Sequence, residues 1–310
     1  MMHRLSFNSF ARTIEKKIGD RLGCLYEVRA IKVIKSNGNN LYCLCIGFRH
    51  NSIAPAVYLN SYYQEYENGR ELDDIIHDIL QVYLGSNKIS PISVNNIRWD
   101  TVKENVILRL VNHDMNKELL QDVPYKIVFD DLAVTFHVLL GSTRDGIESF
   151  MINNRLFYSF EIDIEELYIS ALHNSKAYFM TSIRNINDVM ADVVADKGSC
   201  NRKRCYDCIS LEEGQGAMYV LSNNIGIYGA TVLLYSNIVR EIAETMNSDI
   251  YILPSSIHEV ILVLDYGLNI DVNRLKNIVY EINRKALKPE DFLSNSVYMY
   301  RRATGEIRKL

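Results

Sequence analysis

The chain has 310 residues, a formal net charge of -4, 48% apolar and 23% charged residues. Such a length buries a large core in one domain or two. The composition excludes disorder, and the charge gives no basic field of the kind that recruits nucleic acid. No apolar run reaches the roughly 20 residues of a membrane span, so no membrane association is expected. The N-terminal segment lacks the apolar core and cleavage site of a secretory signal.

Phe7, Phe10, Ile14, Ile18 and Leu22 recur at helical spacing, predicting a first helix that stops at Gly23. Two extended runs follow, 24–35 and 41–48, around Asn37-Gly38, a hairpin signal because both residues tolerate positive φ. A third strand is expected at 56–59. Leu72, Ile75, Ile76, Ile79, Leu80 and Tyr83 then mark the apolar face of an amphipathic helix. The run 106–111 reads as strand or helix end. LAVTFHVLL (132–140) reads as a buried strand, with 147–158 as its return strand. Asp163 and Glu166 resemble a capping box opening a helix.

In the second half, 218–221 and 230–235 are expected to form a hairpin across Asn223-Asn224. A helix carries Val239, Ile242, Ala243 and Met246, and another carries Val272, Leu275, Ile278, Val279 and Ile282. Two strands surround the polar corner at 255–259. Pro289 opens a short helical turn, and 296–300 reads as a late strand before Thr304-Gly305. Separate hairpins and helices, without repeated strand–helix–strand units, indicate an α+β fold of antiparallel hairpins and mixed sheets packed with amphipathic helices. The expected division is an N-terminal hairpin-and-helix unit, 1–120, and a larger unit, 121–310, with a polar loop at 196–216.

The blocks SIAPAVYLNSYY (52–63), VPYKIVFDDLAV (123–134), AMYVLSNNIGIYGATVLLY (217–235), YILPSSIHEVILVLD (251–265) and the ending SVYMYRRATGEIR resemble, in order, those of an uncharacterised bacterial family, a domain of unknown function. Residues 165–265 also resemble part of a second uncharacterised bacterial family. The resemblance implies a fold and a bacterial cytoplasm, and it supplies no catalytic residues.

Three groups of residues are candidates for chemistry. Cys200, Cys205 and Cys208 form C-x4-C-x2-C in the polar loop. Thiolates at that spacing can wrap one metal, but the iron–sulfur pattern needs a fourth cysteine downstream, and none follows. A zinc site would need His173 or His258 as fourth ligand. Neighbouring Arg202, Lys203 and Arg204 favour thiolate. The favoured reading is a loop of reduced thiols, with no cofactor expected and zinc as the alternative. Cys24, Cys43 and Cys45 stand in strand-like text as small hydrophobes.

Ser255, Ser256, His258 and Glu259 include the residue types of a nucleophile, a base and an orienting acid. On an extended segment Ser256 and His258 share a face that Glu259 does not. The favoured reading is therefore a β-corner. A site would need a carboxylate from elsewhere, such as Asp130 or Asp131. His137, within the buried run, reads as a hydrogen-bonded core histidine. Tyr58, Tyr62, Tyr63 and Tyr66 offer either a helix face or a binding surface. No phosphate loop, dinucleotide fingerprint or hydrolase elbow is present. The leading expectation is a cytoplasmic protein that binds another macromolecule, with a protein as the expected partner, without chemistry of its own. The alternatives are a hydrolase-like enzyme around Ser256 and His258, and a zinc-stabilised regulator using the cysteine loop.

Overall fold

The computed structural model describes residues 4–34, 36–38, 40–48, 56–86, 97–143, 146–195, 217–235, 237–267 and 270–310. They form two compact units, Met1–Thr101 and Val102–Leu310.

In the first unit, α1 (Phe7–Leu22) begins at Ser6, whose hydroxyl accepts from the Ser9 amide, and ends at Gly23, φ 79°. Its Phe10, Ile14 and Ile18 are fully buried. Each such side chain is worth about 1.5–3 kcal/mol relative to exposure. They pack with Leu44, Ile46 and Val57 of an antiparallel sheet in the order β1 (Tyr26–Ile34), β2 (Asn40–Phe48), β3 (Ala56–Tyr58). The β1–β2 turn carries Asn37 at φ 62° and Gly38 at φ 68°, as the Asn-Gly signal requires. Two further helices, α2 (Leu59–Glu67) and α3 (Leu72–Ser86), complete the core, α3 through Ile75, Ile76, Ile79 and Tyr83. A short α4 (Trp99–Val102) follows.

The division falls before β4 (Val106–Asn112), not near 120, because β4 pairs along its whole length with β6 (Leu132–Thr143) in the second unit. A short α5 (Lys117–Leu120) leads to β5 (Tyr125–Phe129). Residues of β6 that pair with β4 on one side pair with β5, and then with β7 (Gly146–Met151), on the other. The return strand thus stops at Met151. Asn153 then accepts from the Leu156 amide and caps α6 (Asn154–Ser159), so the expected strand to 158 ends in a helix. Asp163 caps α7 (Ile164–Tyr178) through the Glu166 amide. This helix closes the free edge of β4: Ser175 Oγ accepts from Leu108 N at 2.9 Å, and Asn174 Nδ2 donates to Val106 O at 2.9 Å.

A second, six-stranded sheet has the order β13-β12-β10-β11-β9-β8. Its strands are β8 (Thr181–Asn185), β9 (Met218–Asn223), β10 (Asp249–Leu253), β11 (Val260–Asp265), β12 (Tyr298–Arg301) and β13 (Glu306–Lys309). On it pack α8 (Ile186–Ala195) and α10 (Val272–Ala286), the latter through Leu275, Val279 and Ile282. A shorter α9 (Ile238–Thr245) precedes β10. Central β10 and β11 are buried on both faces, which explains their unbroken apolar text. The fold is α+β, and every described strand pairing is antiparallel where mixed sheets were expected.

The hairpin expected across Asn223-Asn224 does not form. Asn223 Oδ1 accepts from Ile225 N and Gly226 N and turns the chain, but Gly229–Leu234 is a buried 3-10 helix. β9 pairs instead with β11 and β8. The run GATVLL has no period-two alternation, and a short, wholly buried apolar run does not distinguish strand from helix.

Candidate functional site

The polar corner between β10 and β11 is held by its backbone before any side chain is considered. Ser255 O accepts from Leu293 N at 2.8 Å, Ile257 N donates to Asp291 O at 2.9 Å, and Ser256 bridges to Phe292. The corner is thus laced to the segment before β12. Ser255 and Ser256 are only 3% and 4% exposed, and Ser256 Oγ accepts from His258 N at 3.0 Å. Both serines are buried within the corner.

The imidazole of His258 has a partner on each nitrogen. Nδ1 accepts from the Tyr228 amide at 3.2 Å, and Nε2 lies 3.1 Å from Asp291 Oδ1. An N–H donating to Nδ1 requires a lone pair there, which assigns the proton to Nε2, pointing at the carboxylate. The Tyr228 ring lies 5.8 Å from the imidazole, and the Arg109 guanidinium carbon lies 3.8 Å from the centre of the Tyr228 ring. Arg109 also donates to Ser149 Oγ at 2.6 Å. A continuous series of contacts therefore runs from β7 and β4 of one sheet to the corner of the other. Beneath it Ser222 Oγ donates to His258 O at 2.8 Å. A Cβ on Gly229 would come within 2.1 Å of Ser222 Oγ and 2.5 Å of His258 O, so only glycine fits there. Glu259 is half-buried and makes no contact with the imidazole among the described residues.

The acid beside His258 is Asp291, not Asp130 or Asp131. Asp130 is exposed. Asp131 is buried elsewhere, accepting from Ser294 Oγ at 2.6 Å, from Ser296 Oγ at 2.9 Å and from the Tyr298 hydroxyl, with Lys309 Nζ at 3.5 Å. Burial pushes its carboxyl upward, but the hydroxyls of Ser294, Tyr298 and Ser296 and the Lys309 charge outweigh this and hold it below the usual range. Burial, with Asp131 second, pushes the Tyr298 phenol far up. This network ties the β5–β6 turn to the C-terminal strands. His137 is buried with Nε2 3.1 Å from Thr135 Oγ1, a core histidine.

Cys200, Cys205 and Cys208, with the loop 196–216, lie outside the described residues. His173 is exposed on α7, and both nitrogens of His258 are engaged. Among the described residues no group of three or more His, Cys, Asp or Glu is arranged to hold a metal ion. In the first unit, Tyr63 and Tyr66 turn inward: their rings lie 5.3 Å from Phe10, and Tyr63 donates to Leu5 O at 3.2 Å. That cluster closes a core more than it offers a surface. Also in this unit, the sulfurs of Cys43 and Cys45 lie 3.7 Å apart. An open cleft of about 590 Å³ lies where α9 meets β12 and the final turn, lined by Arg240, Glu244, Asp249, Tyr300, Arg302 and Thr304 among others. Asp249 is already engaged there by Arg302 N at 2.9 Å.

The corner's partners, Tyr228, Asp291 and Arg109, carry no sequence signal that pairs them with His258. Gly229, a glycine inside an apolar run, is the kind of local signal that marks a close backbone approach, and it went unread. Residues 7–302 match a family described as "Family of unknown function (DUF5688)". The resemblance of 165–265 to a second family draws no support from the comparisons. No curated protein and no solved structure matches the chain.

Proposed function

The chain belongs to this family of unknown function, and with that as the premise we propose that it acts by binding another macromolecule, a protein, with no chemistry at the His258 corner. The observation that carries the reading is the commitment of both imidazole nitrogens. A general base needs a lone pair aimed at a nucleophile's proton. Here the Nδ1 lone pair faces the Tyr228 amide, the Nε2 proton faces Asp291, and the Ser256 hydroxyl accepts from backbone. The hydrolase alternative around Ser256 and His258 has no comparable support. The zinc-stabilised regulator rests on Cys200, Cys205 and Cys208, outside the described residues.

Support for binding comes from exposed apolar side chains. Tyr125 and Ile127 project from β5, and Met115 and Tyr158 are also exposed. β5 pairs with β6 on one side, and aromatic area on such a surface suits a protein partner. A bacterial cytoplasmic location belongs to the same proposal. It is supported by the family resemblance and is compatible with the absence of any described helix long and apolar enough to cross a membrane. The test is crosslinked capture of the tagged chain from cells beside a Tyr125→Ser, Ile127→Ser variant. A partner captured by the native chain and lost by the variant, with unchanged melting curves, is expected. Equal capture by both, together with His258-dependent ester or amide hydrolysis, contradicts the reading.

A further inference from the structure

Tyr228 has φ 53° and ψ 28°, in the left-handed region that a bulky side chain enters only when its surroundings impose it. The chain on either side is fixed independently of this residue. Asn223 Nδ2 donates to Ile227 O at 2.9 Å, and Ala230 N donates to Ile257 O at 3.2 Å. Gly229, between them, has no room for a side chain. Tyr228 N donates to His258 Nδ1 at 3.2 Å and to no other acceptor among the described residues. One lone pair of one imidazole therefore holds this amide.

That lone pair is also where a second proton must go. Neutral His258 carries its proton on Nε2, 3.1 Å from Asp291 Oδ1, whereas the charged ring carries one on each nitrogen. A proton on Nδ1 faces the Tyr228 N–H donor to donor, and the amide loses its acceptor. The charged groups around the ring decide which contact gives way. Asp291, on the 289–291 turn, attracts the imidazolium. Glu259 and Glu290, the chain neighbours of His258 and Asp291, add negative charge on that side. Arg109, from β4, already places its guanidinium carbon 3.8 Å from the centre of the Tyr228 ring, so a charged imidazole brings a second cation to that ring. From β9, Ser222 and Asn223 bring no titratable group to the corner. Protonation thus strengthens the hold on Asp291 and breaks the hold on Tyr228.

We propose that His258 is a proton-operated latch on the Tyr228 peptide. The neutral ring keeps Tyr228 in its left-handed conformation. The charged ring keeps Asp291 and releases Tyr228, which relaxes out of a region unfavourable to any residue with a Cβ. The two arrangements differ by one proton, so acidification through the range where histidine ordinarily changes charge, about pH 8 to 5, moves the population toward the released one. The latch goes beyond the binding reading and stands whatever the partner is.

The test follows the full chain by nuclear magnetic resonance, with isotope-labelled nitrogen in histidine and tyrosine. The Tyr228 amide is assigned by its disappearance in Tyr228→Phe. At neutral pH the His258 ring should show the Nε2–H tautomer. On acidification the ring should titrate, and the Tyr228 amide should shift with the same midpoint while its protection against hydrogen exchange falls about tenfold or more. His258→Asn places a side-chain oxygen where Nδ1 stands and takes up no proton, so its Tyr228 amide should stay fixed over the same range. A histidine with only a packing role would alter stability in that variant without giving the native chain a shared midpoint. Should the variant fail to fold, the two midpoints of the native chain decide alone. An Nδ1–H tautomer at neutral pH, a ring that titrates while the amide holds still or moves with another midpoint, an equal amide shift in His258→Asn, or a ring that stays neutral until the whole chain unfolds overturns the latch.

Discussion

At Asp131 burial alone would push the carboxyl upward, yet Ser294, Tyr298, Ser296 and Lys309 converge on it and hold it below the usual carboxylate range. Because its folded pKa lies below the ordinary value of about 3.9, it contributes stability above that pH and loses it as pH falls through the folded value. Melting temperature should therefore drop on acidification below about pH 4. Asp131→Asn should start lower at neutral pH and change less over the same acid range. Parallel melting curves for the two proteins across that range would remove Asp131 from the account. His258 and Asp131 were both visible in the sequence as chemistry-bearing residues. Their partners were not, because Asp291 is 33 residues from His258 and Ser294 is 163 from Asp131. Such pairings arise only when distant turns and loops of the chain are brought side by side by the fold.

Elements written in local signals were legible. The spacing of Phe10, Ile14 and Ile18 gave α1, Asn37-Gly38 gave the first hairpin, and Asp163 gave the start of α7. Residues 230–235 were misread as a strand, because the burial of the 3-10 helix Gly229–Leu234 is set by what surrounds it, not by a repeat. Gly229 makes that packing testable. Its missing Cβ leaves room for Ser222 Oγ, His258 O and Asn223 N, and the last two are backbone atoms that cannot swing aside. Gly229→Ala should destabilise the chain by about 1–3 kcal/mol or more in urea titration. A midpoint within error of the native chain would mean that the 3-10 helix does not sit against the corner. The edge of β4 offers a second measurement. Asn174→Leu leaves Val106 O without its buried donor and should cost about 1–3 kcal/mol. An unchanged urea midpoint would show that α7 does not close that edge.

Across the whole molecule, the two units have separate cores, one around Phe10 and Ile79, the other around Val263 and Leu275. A fragment of residues 102–310 should therefore melt cooperatively by itself; a broad, non-cooperative melt would argue that it needs the first unit. The family match covers nearly the whole chain and gives both units a common frame without an activity. What the molecule does then turns on whether the His258 corner is a joint or a reaction centre. The most direct measurement is the thermal and urea stability of His258→Ala beside a hydrolase screen and partner capture. A loss of about 1–3 kcal/mol, from leaving the Tyr228 amide and Asp291 without their partner, with capture retained, is the predicted result. Unchanged stability together with loss of a hydrolytic activity that the native chain displays would contradict it.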